Sequence, residues 1–157
     1  MRHQAIRTVL VPTAAGRNAG DFITLERDHL RHFTKVLRFD WGTSLRIVDG
    51  AGGIFEGMLE ERNDEGGIIL GKLISREEKP LALELGICLP KGATMDWVVE
   101  KAVECGATAL IPIVSSRSVV RPDPREAEKY ILKWQKNADE ALEQCERAWR
   151  MQVRAPL

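Results

Sequence analysis

The sequence has little cysteine and no cysteine pair at a metal-binding spacing. Its three cysteines, Cys88, Cys105 and Cys145, stand far apart on apolar strand or helix positions. The three histidines also lack Cys or carboxylate partners at the spacing of metal ligands. A disulfide-rich secreted domain needs a dense, even set of cysteines, and a zinc site needs grouped Cys or His ligands. We therefore interpret the cysteines as buried thiols and expect no metal site.

The chain also lacks net charge, with 23 basic and 23 acidic residues among 157. This balance excludes a bulk attraction to nucleic acid or to an anionic membrane. The distribution is uneven, because residues 1–46 carry eight Lys or Arg against four Asp or Glu, whereas residues 47–80 carry four against eight. The positive excess therefore lies at the front of the chain.

Long apolar runs are missing as well. The short run at residues 8–12 ends in proline and is unlike a signal peptide, and no segment approaches the length of a membrane span. We expect a cytoplasmic protein that does not enter a membrane.

No strong catalytic signature is present. Gly50, Gly52 and Gly53 form a glycine-rich patch, but it lies between two predicted strands and opens no helix. A hairpin turn is therefore favoured over a phosphate-binding loop. No motif brings together a Ser, His and Asp set or a Cys and His pair.

What the chain does contain is a strand, helix and strand unit at residues 83–120. Residues 83–87 alternate apolar and polar side chains, residues 95–105 place apolar side chains at helical spacing, and residues 109–114 are almost continuously apolar. A run that is apolar on both faces is typical of a buried parallel strand. Two parallel strands need a crossover segment between them, and the helix at residues 95–105 provides one. An α/β sheet is therefore predicted to begin near Leu81.

The residues before this unit predict a different architecture. Short strands separated by Gly and Asp turns, with one short basic helix among them, indicate a small β-barrel at residues 1–74. Residues 75–80 are charged, end in proline and are interpreted as a linker. The predicted fold class is α+β in two domains, with residues 81–157 forming the second.

A long helix is predicted to begin at Pro124. Asp123 is placed as its cap and Glu126 as the capping-box acid. The apolar stripe of this helix continues to about Arg147.

Residues 149–157 read as a lead-in to another strand, so the α/β part shows only two clear strands. A two-stranded parallel sheet is too small to stand alone. We therefore expect an uncovered helix face around Trp134 and Leu142, and self-association of the chain.

Two groups of cations are candidates for binding an anion. One lies on the short helix, where it is either a contact for a phosphate backbone or a solvated face. The other follows the two parallel strands, at the edge where open α/β sheets bind ligands. The first group is Arg31, Lys35 and Arg38, and the second is Lys91, Arg117 and Arg121.

The long helix offers a polar row. Glu140, Gln144 and Arg147 are spaced four and three residues apart and so share one face. They form either a polar network between helices or a row that faces a substrate.

Several segments, in this order, resemble the RsmE family of small-subunit ribosomal RNA uridine methyltransferases, which belong to the SPOUT class. The resemblance covers nearly the whole chain. The segments are HFTKVLRF at residues 32–39, IVDGAGGIFEGMLE at 47–60, LPKGATMDWVVEKAVECG at 89–106, IPIVSSRSVVR at 111–121 and KWQKNADEALEQCER at 133–147.

The resemblance implies a PUA-like barrel that grips RNA, followed by the first part of a SPOUT α/β knot domain. In that family the second domain is dimeric and transfers a methyl group from S-adenosylmethionine to a uridine ring nitrogen. The implied partners are ribosomal RNA or the small ribosomal subunit, and a second copy of the chain in a homodimer.

The resemblance also suggests roles for particular residues. Those that contact RNA phosphates through the first domain are His32, Lys35 and Arg38. Those that line the substrate edge of the second domain are Lys91, Arg117 and Arg121. Those that line the pocket where the uridine ring nitrogen loses its proton are Glu140, Gln144 and Arg147.

One departure from the family concerns the methyl donor. The family's Gly-Pro-Glu-Gly-Gly loop and its Leu-Arg-x-Glu-Thr-Ala segment, which hold the donor, do not occur in this sequence. We therefore expect a form truncated before the knot, which by itself is inactive and does not bind S-adenosylmethionine. The alternative is a non-catalytic RNA-binding or interaction module that lacks the methyl-donor site.

Overall fold

In the computed structural model, which describes residues 6–157, the chain forms two compact units. The first unit ends at Glu78 and the second is Lys79–Leu157. The division lies inside the charged segment that was interpreted as a linker. The first five residues of the predicted N-terminal domain lie outside the described residues.

The first unit is built on a mixed sheet of five strands, in the order β1-β3-β4-β5-β2. β1 pairs with β3 in parallel, and the other neighbours are antiparallel. Asn63 and Asp64 join β4 to β5 with φ angles of 51° and 63°, the two positive values that a tight hairpin turn requires. The strands are β1 Arg7–Leu10, β2 Phe22–Thr24, β3 Ser44–Val48, β4 Gly53–Arg62 and β5 Glu65–Arg76.

The sheet does not close into the predicted barrel within residues 6–157, so that part of the prediction is not confirmed. β1 and β2 are its two edges and do not pair with each other. The sheet is nevertheless curved, because Val9 of β1 and Ile23 of β2 belong to one buried cluster with Ile47 and Leu59. Two register shifts between β4 and β5, opposite Ile54 to Gly57, leave extra residues in β5 between Leu70 and Ser75, and this bulge contributes to the bend.

The predicted short helix is present, with an unusual second half. Helix α1, Arg27–Arg31, continues into a π-helical turn, His32–Val36. The amide of Leu37 donates to the carbonyl of His32, 2.9 Å away and five residues earlier. Phe33 is buried in the core of the sheet and holds this segment in place.

The second unit contains the predicted crossover and one strand more than was expected. Its parallel sheet has three strands, in the order β6-β7-β8. Helix α2 connects β6 to β7, and helix α3 connects β7 to β8. The elements are β6 Glu84–Cys88, α2 Thr94–Glu104, β7 Ala109–Ile113, α3 Pro124–Cys145 and β8 Gln152–Val153.

The expectation of only two strands is therefore wrong. β8 pairs with β7, and the pairing continues past the strand, since the amides of Arg154 and Leu157 donate to Leu110 and Pro112 at 2.9 Å each. The regular part of β8 is only two residues long, which is too short to leave an alternating pattern in the sequence.

The expected uncovered face of the long helix is also wrong. Trp134 and Leu142 are 5% and 0% exposed. Helix α2 packs beside α3, and the small side chains of Ala138 and Ala141 are buried along the same stripe. The apolar face of α3 is thus covered within the unit, which removes the reason given for self-association.

The start of α3 is as predicted, whereas its end is not. The carboxylate of Asp123 accepts from the amides of Arg125 and Glu126 at 2.9 Å each, and Glu126 accepts from the amide of Asp123 in return. The helix ends at Cys145, because Glu146 takes a left-handed conformation with φ of 58°.

The cysteines were interpreted as buried, and this is wrong. All three have exposed positions and are free thiols. They occupy the end of β6, the C-cap of α2 and the last residue of α3, where apolar spacing alone did not indicate exposure. Within the part of the chain that is described, no helix combines the length and apolarity needed to cross a bilayer.

Candidate functional site

The basic side chains of the first unit lie on and just after the π-helical turn. His32 is half-buried, and its ring centroid is 6.2 Å from that of Phe33. Lys35 and Arg38 are exposed, and neither side chain forms a hydrogen bond or ion pair with the described residues. Arg38 has a φ of 56°, a left-handed conformation that costs energy for a residue with a Cβ. The structure thus presents two uncompensated cations on one short segment.

The glycine-rich patch is a turn, as predicted. One carboxylate oxygen of buried Asp49 accepts from the amides of Ala51 at 2.7 Å and Gly53 at 2.8 Å. These are the amides that a phosphate would need, so this turn is not free to bind one. A Cβ on Gly53 would lie 2.3 Å from the other oxygen of Asp49, which explains the glycine.

The cations predicted at the substrate edge follow adjacent parallel strands of the second unit. The amide of Leu89, just after β6, donates to the carbonyl of Ile113, the last residue of β7, at 3.0 Å. The two strands therefore stay paired up to the edge of the sheet. Lys91 lies in the loop that follows β6, and Arg117 lies in the loop that follows β7. Both are exposed and without polar partners among residues 6–157, which suits them to bind a phosphate.

Arg121, the third predicted cation of this edge, is engaged within its own loop. Its guanidinium donates to the carbonyls of Ser116 at 2.6 Å and Ser118 at 3.2 Å. The hydroxyls of Ser115 and Ser118 are 3.1 Å apart and close the same loop. Arg121 therefore shapes the loop that carries Arg117.

Glu140 and Gln144 line a groove of about 230 Å³ between α2 and α3. Trp97 of α2 lies in the groove and is 61% exposed. The remaining lining residues are Asp96, Glu100, Asn137 and Ala141.

Lysines compensate the carboxylates of this groove from its rim. Lys133 lies 2.7 Å from Asp96, and Lys136 lies 3.9 Å from Glu140. A hydrogen bond from Lys101 lowers the pKa of Glu100. Because the interior of the groove is acidic, it suits a proton acceptor better than a phosphate contact.

Arg147 does not join Glu140 and Gln144. It lies beyond the end of α3, and its guanidinium donates to the carbonyls of Val103 and Ala107. It also lines a separate depression of about 260 Å³. The predicted row of three is therefore a pair, because the left-handed Glu146 redirects the chain before Arg147.

Sequence reasoning missed two features of the second unit. Trp97 is an apolar residue on the polar face predicted for α2, and that mismatch was the available signal. Gln135 and Asp139 are four residues apart on α3 and share a network with Arg150. Within residues 6–157, no group of three or more His, Cys, Asp or Glu side chains is arranged to hold a metal ion.

The second unit has the architecture of an α/β domain in which exposed cations follow the carboxyl ends of two parallel strands. It coincides with the region that matches a known family, the RNA methyltransferase domain, at residues 77–157. The chain belongs to this RNA methyltransferase family, which confirms the resemblance seen in the sequence.

The curated relatives agree with this assignment. Ribosomal RNA small subunit methyltransferase E from Synechocystis is 33% identical over 135 residues, which are 86% of this chain and 43% of the relative. The protein of the same name from Bacillus subtilis is 30% identical over 124 residues, 76% of this chain and 48% of the relative. The chain thus spans about half the length of the curated relatives that it matches.

Solved structures show the same fold. A putative methyltransferase from Legionella pneumophila, in complex with its cofactor, superimposes with a TM-score of 0.87 at 23% identity, over 97% of this chain and 63% of that one. Ribosomal RNA small subunit methyltransferase E from Neisseria gonorrhoeae, bound to S-adenosylmethionine, gives a TM-score of 0.80 at 25% identity, over 96% and 62%.

Proposed function

We propose that the chain contains the RNA-binding part and the first half of the catalytic part of a small-subunit ribosomal RNA methyltransferase. The enzyme transfers a methyl group from S-adenosylmethionine to a uridine ring nitrogen. The observation that carries this proposal is the family match of residues 77–157. The names of the relatives supply the substrate class, and the gonococcal structure supplies the donor.

In this proposal residues 1–74 form a PUA-like RNA-binding domain, residues 75–80 a linker, and residues 81–157 the first part of a SPOUT methyltransferase domain. The first assignment is supported by the exposed and uncompensated charges of Lys35 and Arg38. Such charges displace counterions from a phosphate backbone and strengthen binding. His32, at the start of the same π-helical turn, completes this contact.

The second unit holds the substrate strand at the edge of its sheet. Lys91 and Arg117 contact phosphates there, and Arg121 keeps the loop of Arg117 in shape. Two cations that bind successive phosphates orient the nucleotide relative to the sheet, which lowers the entropic cost of reaching a reactive arrangement.

The acidic groove supplies the acid–base chemistry. A uridine ring nitrogen must lose its proton before it attacks a methyl carbon, and Glu140 is the carboxylate that we assign to accept that proton. The amide of Gln144, which lines the same groove, hydrogen-bonds to the base. Arg147 supports these residues indirectly by holding the end of α2.

The donor, when bound, supplies the electrophilic methyl group. Two depressions of the second unit measure about 230 and 260 Å³. Pockets for ligands of drug-like size usually have roughly 300–1,000 Å³. We therefore assign no described residue to donor binding. A homodimer and a cytoplasmic location complete the proposal, and both are supported by the family alone.

The test compares binding and methyl transfer with one set of RNAs. The chain is titrated with small-subunit ribosomal RNA and with large-subunit RNA of equal length, and then incubated with each RNA and labelled S-adenosylmethionine. We expect preferential binding to small-subunit RNA, and label on uridine supports the enzyme. Binding without donor affinity or transfer is the result expected of a chain that holds only half of the catalytic part, and a non-catalytic module gives the same result; absence of RNA binding overturns both.

A further inference from the structure

The outer edge of β8 is occupied by a side chain instead of a strand. Gln135 of α3 accepts a hydrogen bond from the amide of Val153 through its Oε1, at 2.9 Å. Its Nε2 donates to the carbonyl of Met151 at 3.0 Å. One amide side chain thus makes the pair of contacts that the backbone of a neighbouring strand would make.

The inner edge of β8 is paired in the usual way. The amides of Gln152 and Arg154 donate to the carbonyls of Thr108 and Leu110 at 3.0 and 2.9 Å. Successive backbone amides of a strand point to opposite sides, so the amide of Val153, between those of Gln152 and Arg154, points away from β7. Without Gln135 that amide would have no partner among residues 6–157.

A second pair of residues determines the orientation of the Gln135 amide. Its Nε2 also donates to Oδ1 of Asp139 at 3.0 Å. Arg150 donates to both oxygens of Asp139 at 2.7 Å each, and this hydrogen bonding raises the pKa of Arg150. A flipped amide would turn Oε1 towards two acceptors, so only one orientation satisfies the network.

We propose that Gln135, Asp139 and Arg150 form an edge clamp, which closes the sheet at β8 and fixes the register of β8 on β7. A strand whose regular part is two residues long has few backbone pairs to fix its register, and an open edge is a template for pairing with other chains. The clamp thus compensates for the short length of β8 and also covers the open edge of the sheet. The proposal goes beyond the proposed function and does not depend on it.

The clamp also positions the segment that follows β8. The amide of Leu157 donates to Pro112 at 2.9 Å, and the amide of Val114 donates to Leu157 at 2.7 Å. This segment therefore runs along the edge of the sheet where the loop of Arg117 begins. Gln135, Asp139 and Arg150 are in this sense positioning residues for that edge.

The test is amide hydrogen exchange of the complete 157-residue chain, read residue by residue by NMR. We expect the Val153 amide to be protected in the unaltered protein, since an unpartnered edge amide exchanges freely. In Gln135→Met, which keeps the length and apolar stem of the side chain, we expect the protection of Val153 to fall about tenfold or more. The amide of Arg154, which is bonded to β7, should keep its protection.

Two further variants separate the clamp from a general loss of stability. Gln135→Glu turns a carboxylate oxygen towards the carbonyl of Met151 and the carboxylate of Asp139, so it should lose protection at Val153 as well, whereas Lys136→Met changes the next residue, outside the clamp, and should leave it unchanged. An unprotected Val153 in the unaltered protein overturns the proposal, even if Gln135→Met fails to fold. Equal loss of protection at Val153 and Arg154 in Gln135→Met also overturns it.

Discussion

The guanidinium of Arg147 donates to the carbonyl oxygen of Val103, which lies 44 residues earlier in the chain. Val103 belongs to the last turn of α2, where its carbonyl also accepts from the amide of Gly106 at 3.0 Å and where a cation is favourable. The same guanidinium reaches the carbonyl of Ala107 at 3.2 Å. Arg147 therefore fastens the end of α2 to the segment that leaves α3.

The first prediction follows from this contact. Arg147→Met should lower the free energy of unfolding by about 1.5–3 kcal/mol, because partly buried carbonyls lose a charged donor. Arg147→Lys keeps a cation at the site and should lose less. Urea unfolding of the three proteins measures the difference. If Arg147→Met unfolds like the parent, the hydrogen bonds of Arg147 do not fasten the end of α2.

The position of Arg147 could not be predicted from the sequence. Helical spacing placed it on one face with Glu140 and Gln144, but spacing does not say where a helix ends. Glu146 ends α3 in a left-handed conformation that glycine would normally signal, and no glycine is present there. By contrast, the start of α3 was predictable, because a capping box is local and needs only Asp123 and Glu126.

The same distinction applies to the other elements. The strands and the crossover of the second unit follow from apolar patterns that each lie within a short window. β8 depends on partners far away in the chain, and Gln135 holds it from 18 residues away. The edge cations could be predicted because parallel strands share an edge, whereas the bonds of Arg121 depend on the conformation of one loop.

The second prediction concerns the turn after β3. Gly53→Ala should destabilise the protein by more than about 2 kcal/mol, since the new Cβ would lie 2.3 Å from the buried carboxylate of Asp49. Gly86→Ala is the matched control, because its Cβ would meet only the end of the Ile113 side chain at 3.1 Å. Thermal and urea unfolding compare the two. Equal stability of both variants would contradict the close packing of this turn.

The third prediction concerns the capping box of α3. Asp123→Ala should cost about 1 kcal/mol, because the amides of Arg125 and Glu126 lose their acceptor at an exposed helix start. Asp123→Ser retains a capping oxygen and should stay within a few tenths of a kcal/mol of the parent. The measurement is the urea midpoint at constant slope. A similar loss in both variants would mean that the charge, and not the cap, matters.

The fourth prediction uses the backbone of Arg38. Its φ of 56° is a conformation that glycine adopts without cost, so Arg38→Gly should stabilise the first unit by about 0.5–1 kcal/mol. Arg38→Ala keeps the Cβ and should give no such gain. Thermal unfolding of the two variants makes the comparison. If Arg38→Gly is no more stable than Arg38→Ala, the left-handed conformation carries no strain.

The last prediction tests the RNA contact directly. Lys35→Ala and Arg38→Ala together remove two exposed cations that have no partner among the described residues. If both contact phosphates, RNA affinity should fall, and the slope of log affinity against log salt should become shallower by about 1.4–1.8.

The control is Arg17→Ala with Lys72→Ala, which removes the same charge from other parts of the first unit. If the two double variants weaken binding equally, the effect is one of total charge. If affinity and slope are unchanged in Lys35→Ala with Arg38→Ala, the π-helical turn does not hold RNA.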